Sequence, residues 1–148
     1  MEIICYLSNG YPTIEASYKI AHEYADAGCK MMEVDFPSRN PYLESDFLKA
    51  RMGKALEACD DYDKYMESII RLKKEFPEIK MLVLAYENTV LEIGTEKFIN
   101  FCLENGIITQ EQGLSIYMQI KQKIQLDLPF IAGITGLDVE VLKKMAQA

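Results

Sequence analysis

The sequence has a single histidine, His22, and only four cysteines, Cys5, Cys29, Cys59 and Cys102, with no C-x-x-C pair. That scarcity excludes a zinc site built from paired Cys and His ligands. Each cysteine lies in an apolar segment, where a free thiol behaves as a small hydrophobe, and a reduced cytoplasmic interior is the plain expectation. Basic residues are also short: 16 Lys and Arg stand against 23 Asp and Glu, a net charge of −7. The chain therefore lacks the basic face that nucleic-acid binding needs, and the polybasic stretch of a membrane-surface protein. No apolar run approaches the roughly 20 residues of a membrane span. Met1 leads straight into an apolar, strand-like run, which is not the pattern of a secretory leader. Repeats, low-complexity segments and long linkers are missing too.

What is present suits a globular core. Across 148 residues, 49% are hydrophobic and 26% charged, the composition of one domain over 1–148. Short apolar runs at Ile3–Leu7, Met31–Phe36 and Lys80–Tyr86 read as strands, and Phe130–Thr135 as a fourth candidate. Between them lie helical patterns. Thr13 caps one with apolar positions Ile14, Tyr18, Ala21 and Ala25, and Gly28 stops it. Two more run from about Asp46 to Cys59 and, after Asp60-Asp61, to Glu75. Another opens at Gly94-Thr95, and Thr109-Gln110-Glu111-Gln112 has the form of a capping box before the stripe Ile116, Ile120 and Ile124. A last helix starts at Asp138. Strands alternating with helices imply right-handed βαβ units and a parallel α/β sheet.

In such sheets chemistry gathers at the carboxyl ends of the strands, which selects Ser8–Gly10, Glu33–Phe36, Tyr86–Asn88 and Gly133–Gly136. Glu33 stands in the apolar run Met31-Met32-Glu33-Val34-Asp35-Phe36-Pro37, where a carboxylate is costly to bury unless partnered, and such carboxyls serve acid/base work. A solvent-facing or ion-paired Glu33 is the plainer alternative. Asp35 alternates with Glu33 and points to the same side, so either is a candidate working group. Glu44 and Asp46, in or just after the loop, offer a second carboxylate, although on position alone helix N-terminal placement explains them better. Tyr86 and Asn88 offer a phenol and an amide, with packing the commoner role for the tyrosine. Gly133-Ile134-Thr135-Gly136 offers backbone N–H groups to an anion. The acidic run Asp60, Asp61 and Asp63 lacks the spacing of a calcium loop and reads as helix capping. His22 reads as a surface residue.

Taken in order, Leu7-Ser8-Asn9-Gly10-Tyr11-Pro12-Thr13, Ala27-Gly28-Cys29-Lys30-Met31-Met32-Glu33-Val34-Asp35-Phe36-Pro37, Leu84-Ala85-Tyr86-Glu87-Asn88, Gly94-Thr95-Glu96-Lys97-Phe98 and Cys102-Leu103-Glu104-Asn105-Gly106 resemble the tryptophan synthase α subunit family. The resemblance is continuous over about residues 3 to 106, the first three βα units. It resumes at Tyr117–Ile124 and Leu128–Thr135, which look like the family's sixth helix and seventh strand. It implies the parallel βα units of a TIM-type (β/α)8 barrel, here incomplete. About four strands are expected, as a half-barrel or open sheet, since 148 residues fall well short of the roughly 250 of a full barrel. The implied activity is that of a carbon–carbon lyase in tryptophan biosynthesis, cleaving indole-3-glycerol phosphate to indole and glyceraldehyde 3-phosphate. This subunit would need no cofactor and would pass indole to a β subunit.

By the same resemblance Glu33 matches the acid/base glutamate at the end of the second strand. Glu44 falls where the family has an aspartate in the following loop, one methylene longer here, with Ser45-Asp46 replacing the usual Gly-Pro. Pro37 and Pro41 keep the family's spacing, while Ser38-Arg39-Asn40 replaces Phe-Ser-Asp. Leu84 and Tyr86 match positions lining the indole pocket, and Gly133 matches a glycine of the phosphate loop. Too few strands to close a barrel leave exposed sheet edges, so a homodimer is one expectation. A non-catalytic half-barrel that binds a partner subunit or a small phosphorylated ligand is the alternative function.

Overall fold

A computed structural model describes residues 3–121 and 128–146. Three short strands, β1 (Ile4–Leu7), β2 (Met31–Asp35) and β3 (Lys80–Leu84), form one parallel sheet in the order β1-β2-β3. The register sets Tyr6 beside Glu33, Glu33 beside Leu82, and Asp35 beside Leu84. Side chains alternate along each strand. Leu7, Met32, Val34 and Met81 therefore share one buried face. On the opposite face Tyr6, Glu33, Leu82 and Leu84 are only half-buried. That second face bears Glu33 and Asp35, the two carboxyls expected as candidate working groups.

The helices form where the sequence supplies start and stop signals. In α1 (Ile14–Asp26) the Thr13 side chain accepts from the Ala16 amide, and Gly28 follows at φ 86°. This helix packs on β1 and on α3 (Tyr62–Glu75), with Ala21, Ile69 and Leu72 fully buried. Asp61 caps α3 through Oδ1 to the Asp63 amide at 2.9 Å, which is the capping role expected of the acidic run. Ser45 caps α2 (Asp46–Ala58). His22 is half-buried, edge-on to both Tyr18 and Phe76. It sits at the surface edge of an aromatic cluster, 3.8 Å from Glu75 Oε1.

The chain divides into two compact units, Met1–Glu92 and Ile93–Ala148. The first holds the sheet, α1 to α3, and α4 (Glu87–Ile93) up to its last residue. The second consists of α5 (Thr95–Glu104), α6 (Gln110–Lys121), α7 (Leu128–Thr135) and α8 (Val139–Ala146). Each of these packs on the next, around Ile99, Tyr117, Ile131, Ile134 and Leu142. The capping box forms reciprocally: the Thr109 amide donates to Gln112 Oε1 at 2.9 Å, and the Gln112 amide to Thr109 Oγ1 at 3.2 Å. Ile124 lies outside the described residues.

One strand expectation is overturned. Phe130–Thr135 is not a fourth strand but most of α7, so three strands stand among the described residues. A continuous apolar run carries no period to separate strand from helix. Here Ile131 and Ile134 bury one helical face together. Pro129 falls in the first turn, where its missing N–H costs nothing. Thr135 Oγ1 and the Gly136 amide donate to the Ile131 and Ala132 carbonyls four residues back. The short helix α4 has no counterpart in the sequence reading.

Candidate functional site

The carboxyl ends of β2 and β3 and the loop 36–45 after β2 bring most of the expected residues together. The loop is pinned at several points. The Phe36 amide donates to the Leu84 carbonyl at 2.8 Å, which continues the β2–β3 pairing. Tyr62 Oη donates to the Pro37 carbonyl at 3.1 Å. Asn88 Nδ2 donates to Ser38 Oγ at 3.0 Å, and Arg39 pairs with Asp60 and Glu92. At the far end of this braced loop Glu44 turns back to the sheet. Tyr86 Oη donates to its Oε1 at 3.1 Å, and Tyr42 stands edge-on to the Tyr86 ring at 5.2 Å between centroids. Tyr86 is buried, and its phenol is pushed above the usual range by that burial and by the Glu44 carboxylate.

Glu33 is half-buried on the less covered face, with Tyr6 and Leu82 as its strand partners. Leu84 closes the same face one row further on, beside Asp35. Asp35 is the most enclosed carboxyl of the group, 1% exposed. Its Oδ1 accepts from the Asn9 amide at 2.7 Å and its Oδ2 from Tyr6 Oη at 2.6 Å. Burial raises it to about 6. The hydrogen bonds from Tyr6 and Asn9 and the Arg51 charge oppose that rise, and Glu44 adds to it. The Tyr6 phenol is in turn pushed well above its ordinary value, by burial first and then by the Asp35 charge.

The Ser8–Gly10 turn borders this group. Gly10 has φ 85°, its amide donates to Ser17 Oγ, and a Cβ there would lie 2.4 Å from the Tyr65 ring. The Asn9 side chain is held by Ser68, whose hydroxyl donates to Oδ1 at 3.1 Å. Arg51 lies with its guanidinium over Tyr11 and Phe47, 4.6 and 5.4 Å from the ring centroids.

Two of the expected residues take a different form. Gly133 is an exposed residue inside α7, in the second unit, so the strand-to-helix turn from which it would meet an anion is not formed. Asp46 begins α2, fully exposed, and pairs with Lys49. Tyr6 and Arg51 were not singled out by the sequence. Parity along β1, which sets Tyr6 on the face opposite Leu7, is the signal that would have found the tyrosine. A groove of about 730 Å³ is lined by Ser38, Arg39, Pro41, Tyr42, Lys49 and Leu56, but by none of Glu33, Asp35, Glu44 or Tyr86. No group of three or more metal-ligating side chains is found among the described residues, and no helix among them is long and apolar enough to cross a membrane.

Comparison with known proteins bears on the family and the fold. The family model for the tryptophan synthase alpha chain matches residues 1–110. The tryptophan synthase alpha chain of Aquifex aeolicus is 32% identical over 105 residues, covering 71% of this chain and 40% of the relative. That of Methanosarcina acetivorans is 27% identical, covering 95% of this chain and 53% of the relative. The chain thus spans about half the length of the relatives it matches, or less. Among solved structures, an Aquifex aeolicus protein superimposes with a TM-score of 0.69 at 27% identity, covering 80% of this chain and 51% of that one. Mycobacterium tuberculosis tryptophan synthase gives 0.66 at 20% identity, a likeness of fold. Three parallel strands of those barrels are present here as an open sheet. The chain belongs to the tryptophan synthase alpha chain family.

Proposed function

We propose that this chain carries the carboxylate pair of an indole-3-glycerol phosphate lyase of the tryptophan synthase α type. In this reading Glu33 is the general acid that protonates the indole ring at C3. Glu44 stabilises or takes the proton at the ring nitrogen, so two carboxyls in different surroundings divide the acid and base roles. Leu84 and Tyr86 flank the indole. The products are indole and glyceraldehyde 3-phosphate, the natural partner is a tryptophan synthase β subunit, and the setting is the cytoplasm. Gly133, inside α7, is given no part.

The observation that carries the reading is the hydrogen bond from Tyr86 Oη to Glu44 Oε1 at 3.1 Å. It turns the loop carboxylate back to the end of β3, beside the strand that bears Glu33, although Glu44 is a methylene longer than the aspartate it replaces. Release of indole from indole-3-glycerol phosphate, with and without a β subunit, tests it. Glu33→Gln is expected to lose at least ~100-fold in kcat, the usual contribution of a positioned proton donor. Activity that survives Glu33→Gln removes the mechanism. A folded chain inert under both conditions removes the enzyme reading and favours a binding role.

A further inference from the structure

We propose that Asp35 is a positioning residue of this site: its carboxylate clamps the Tyr6 hydroxyl and the Ser8–Gly10 turn, fixing the tyrosine alongside Glu33. The inference rests on the lyase reading above and adds a third carboxyl to it, one that does not touch substrate. Both Asp35 oxygens are taken by protein donors at 2.6 and 2.7 Å, and 1% of the residue is exposed. Such short bonds to an ionised acceptor are the strong kind. Because in-register parallel neighbours point to the same side, Tyr6 leaves β1 in the row of Glu33. Its hydroxyl ends one row further on, at Asp35. The ring thus bridges the two rows along the flank of Glu33, and Asp35 decides where it rests. Through Oδ1 the same carboxyl ties down the Asn9 amide, the first turn beyond β1.

Packing alone does not call for an acid here. A buried carboxyl is costly where no cation binds it directly, and the nearby Arg51 guanidinium is stacked on Tyr11 and Phe47. The titratable and charged neighbours are Tyr6 from β1, Glu33 on the same strand, Glu44 from the loop, Arg51 from α2 and Tyr65 from α3. When the carboxyl takes up a proton, the oxygen that carries it becomes a donor and gives up one of its two accepted bonds. Only the ionised form accepts both bonds at charge-assisted strength.

The test uses the full chain and three variants, Asp35→Asn, Tyr6→Phe and Glu33→Gln, with carboxyl, amide and ring NMR signals followed across pH 4 to 8. The Asp35 carboxyl is expected to titrate at about 6, with the Asn9 amide and Tyr6 ring signals moving at the same midpoint. Tyr6→Phe moves the midpoint upward, because it removes a bond that favours the charged form. Asp35→Asn abolishes the coupled movement. In turnover, Asp35→Asn lowers kcat roughly 10-fold with little change in KM and removes the acid limb near pH 6, the split expected when a proton donor is misplaced rather than binding lost. Glu33→Gln leaves the Asp35 titration where it was. A Tyr6→Phe variant whose Asp35 midpoint does not move overturns the clamp, as do Asn9 and Tyr6 signals indifferent to the Asp35 titration or a kcat pH profile unchanged in Asp35→Asn. If the chain releases no indole, the lyase reading fails by itself, and the NMR signals still decide the clamp.

Discussion

Asp35 destabilises the chain in the form in which it is most useful. Its value of about 6 in the folded protein lies above the unfolded 3.8, so the folded state holds the proton more tightly. Stability from this group is full below about pH 4 and is lost as pH rises through about 6. A shift of about two units corresponds to ~3 kcal/mol, an upper figure for the effect. Asp35→Asn should therefore raise the unfolding free energy by ~1–2 kcal/mol at pH 8 and give no gain at pH 4, as read by urea unfolding at both. A variant less stable at pH 8 than the parent contradicts this. Gly10 is the opposite case, a residue fixed by shape. At φ 85° a side chain is strained, and the Cβ would meet a Tyr65 ring that cannot retreat, because its hydroxyl is held by the Ala55 and Cys59 carbonyls at 2.8 Å each. Left-handed strain and overpacking together predict a loss of roughly 2–5 kcal/mol for Gly10→Ala in chemical denaturation. A loss under ~1 kcal/mol would show that the turn can shift.

At the scale of elements, a helix start can be tested where its bonds are explicit. Thr109 and Gln112 satisfy each other's backbone amides at the head of α6, and Thr109→Ala should cost about 1 kcal/mol. Hydrogen exchange in the first turn of α6 reads it, and unchanged protection there would remove the cap from the account. These starts were legible in the sequence because Thr13, Asp61 and Thr109 act on neighbours two or three residues away. So were the three strands, each a short apolar run closed by a turn. Phe130–Thr135 was not, since its apolar residues satisfy a strand and a helix alike until Ile131 and Ile134 are seen to share a face. The site divides the same way. Glu33 and Tyr86 could be named from their places at strand ends, and Glu44 from the family resemblance. The joining of Tyr6 and Asn9 to Asp35 depends on which residue of β1 lies beside which residue of β2, and register across 26 to 29 positions is not written in either strand alone.

At the scale of the whole molecule, the sheet is the element left unfinished. Among the described residues β1 and β3 each pair on one side only, so each keeps a row of backbone N–H and C=O groups with no strand partner. Such edges invite another chain. β1 makes the stronger invitation, because Ile3 and Ile4 are 62% and 50% exposed and add apolar surface to the open backbone. Edge-to-edge pairing of two copies would satisfy both needs with two-fold symmetry, in which the same strand serves both sides of the contact. Sedimentation velocity on the full chain should then show a species of twice the chain mass growing in with concentration over the micromolar range. Ile4→Lys places a charge on the edge strand, which natural sheets use to prevent pairing, and should weaken the association by roughly 10-fold or more, about 1.4 kcal/mol. A monomer that persists through ~100 µM would mean that the β1 edge is protected within the single chain. A dimer indifferent to Ile4→Lys would place the contact elsewhere than β1.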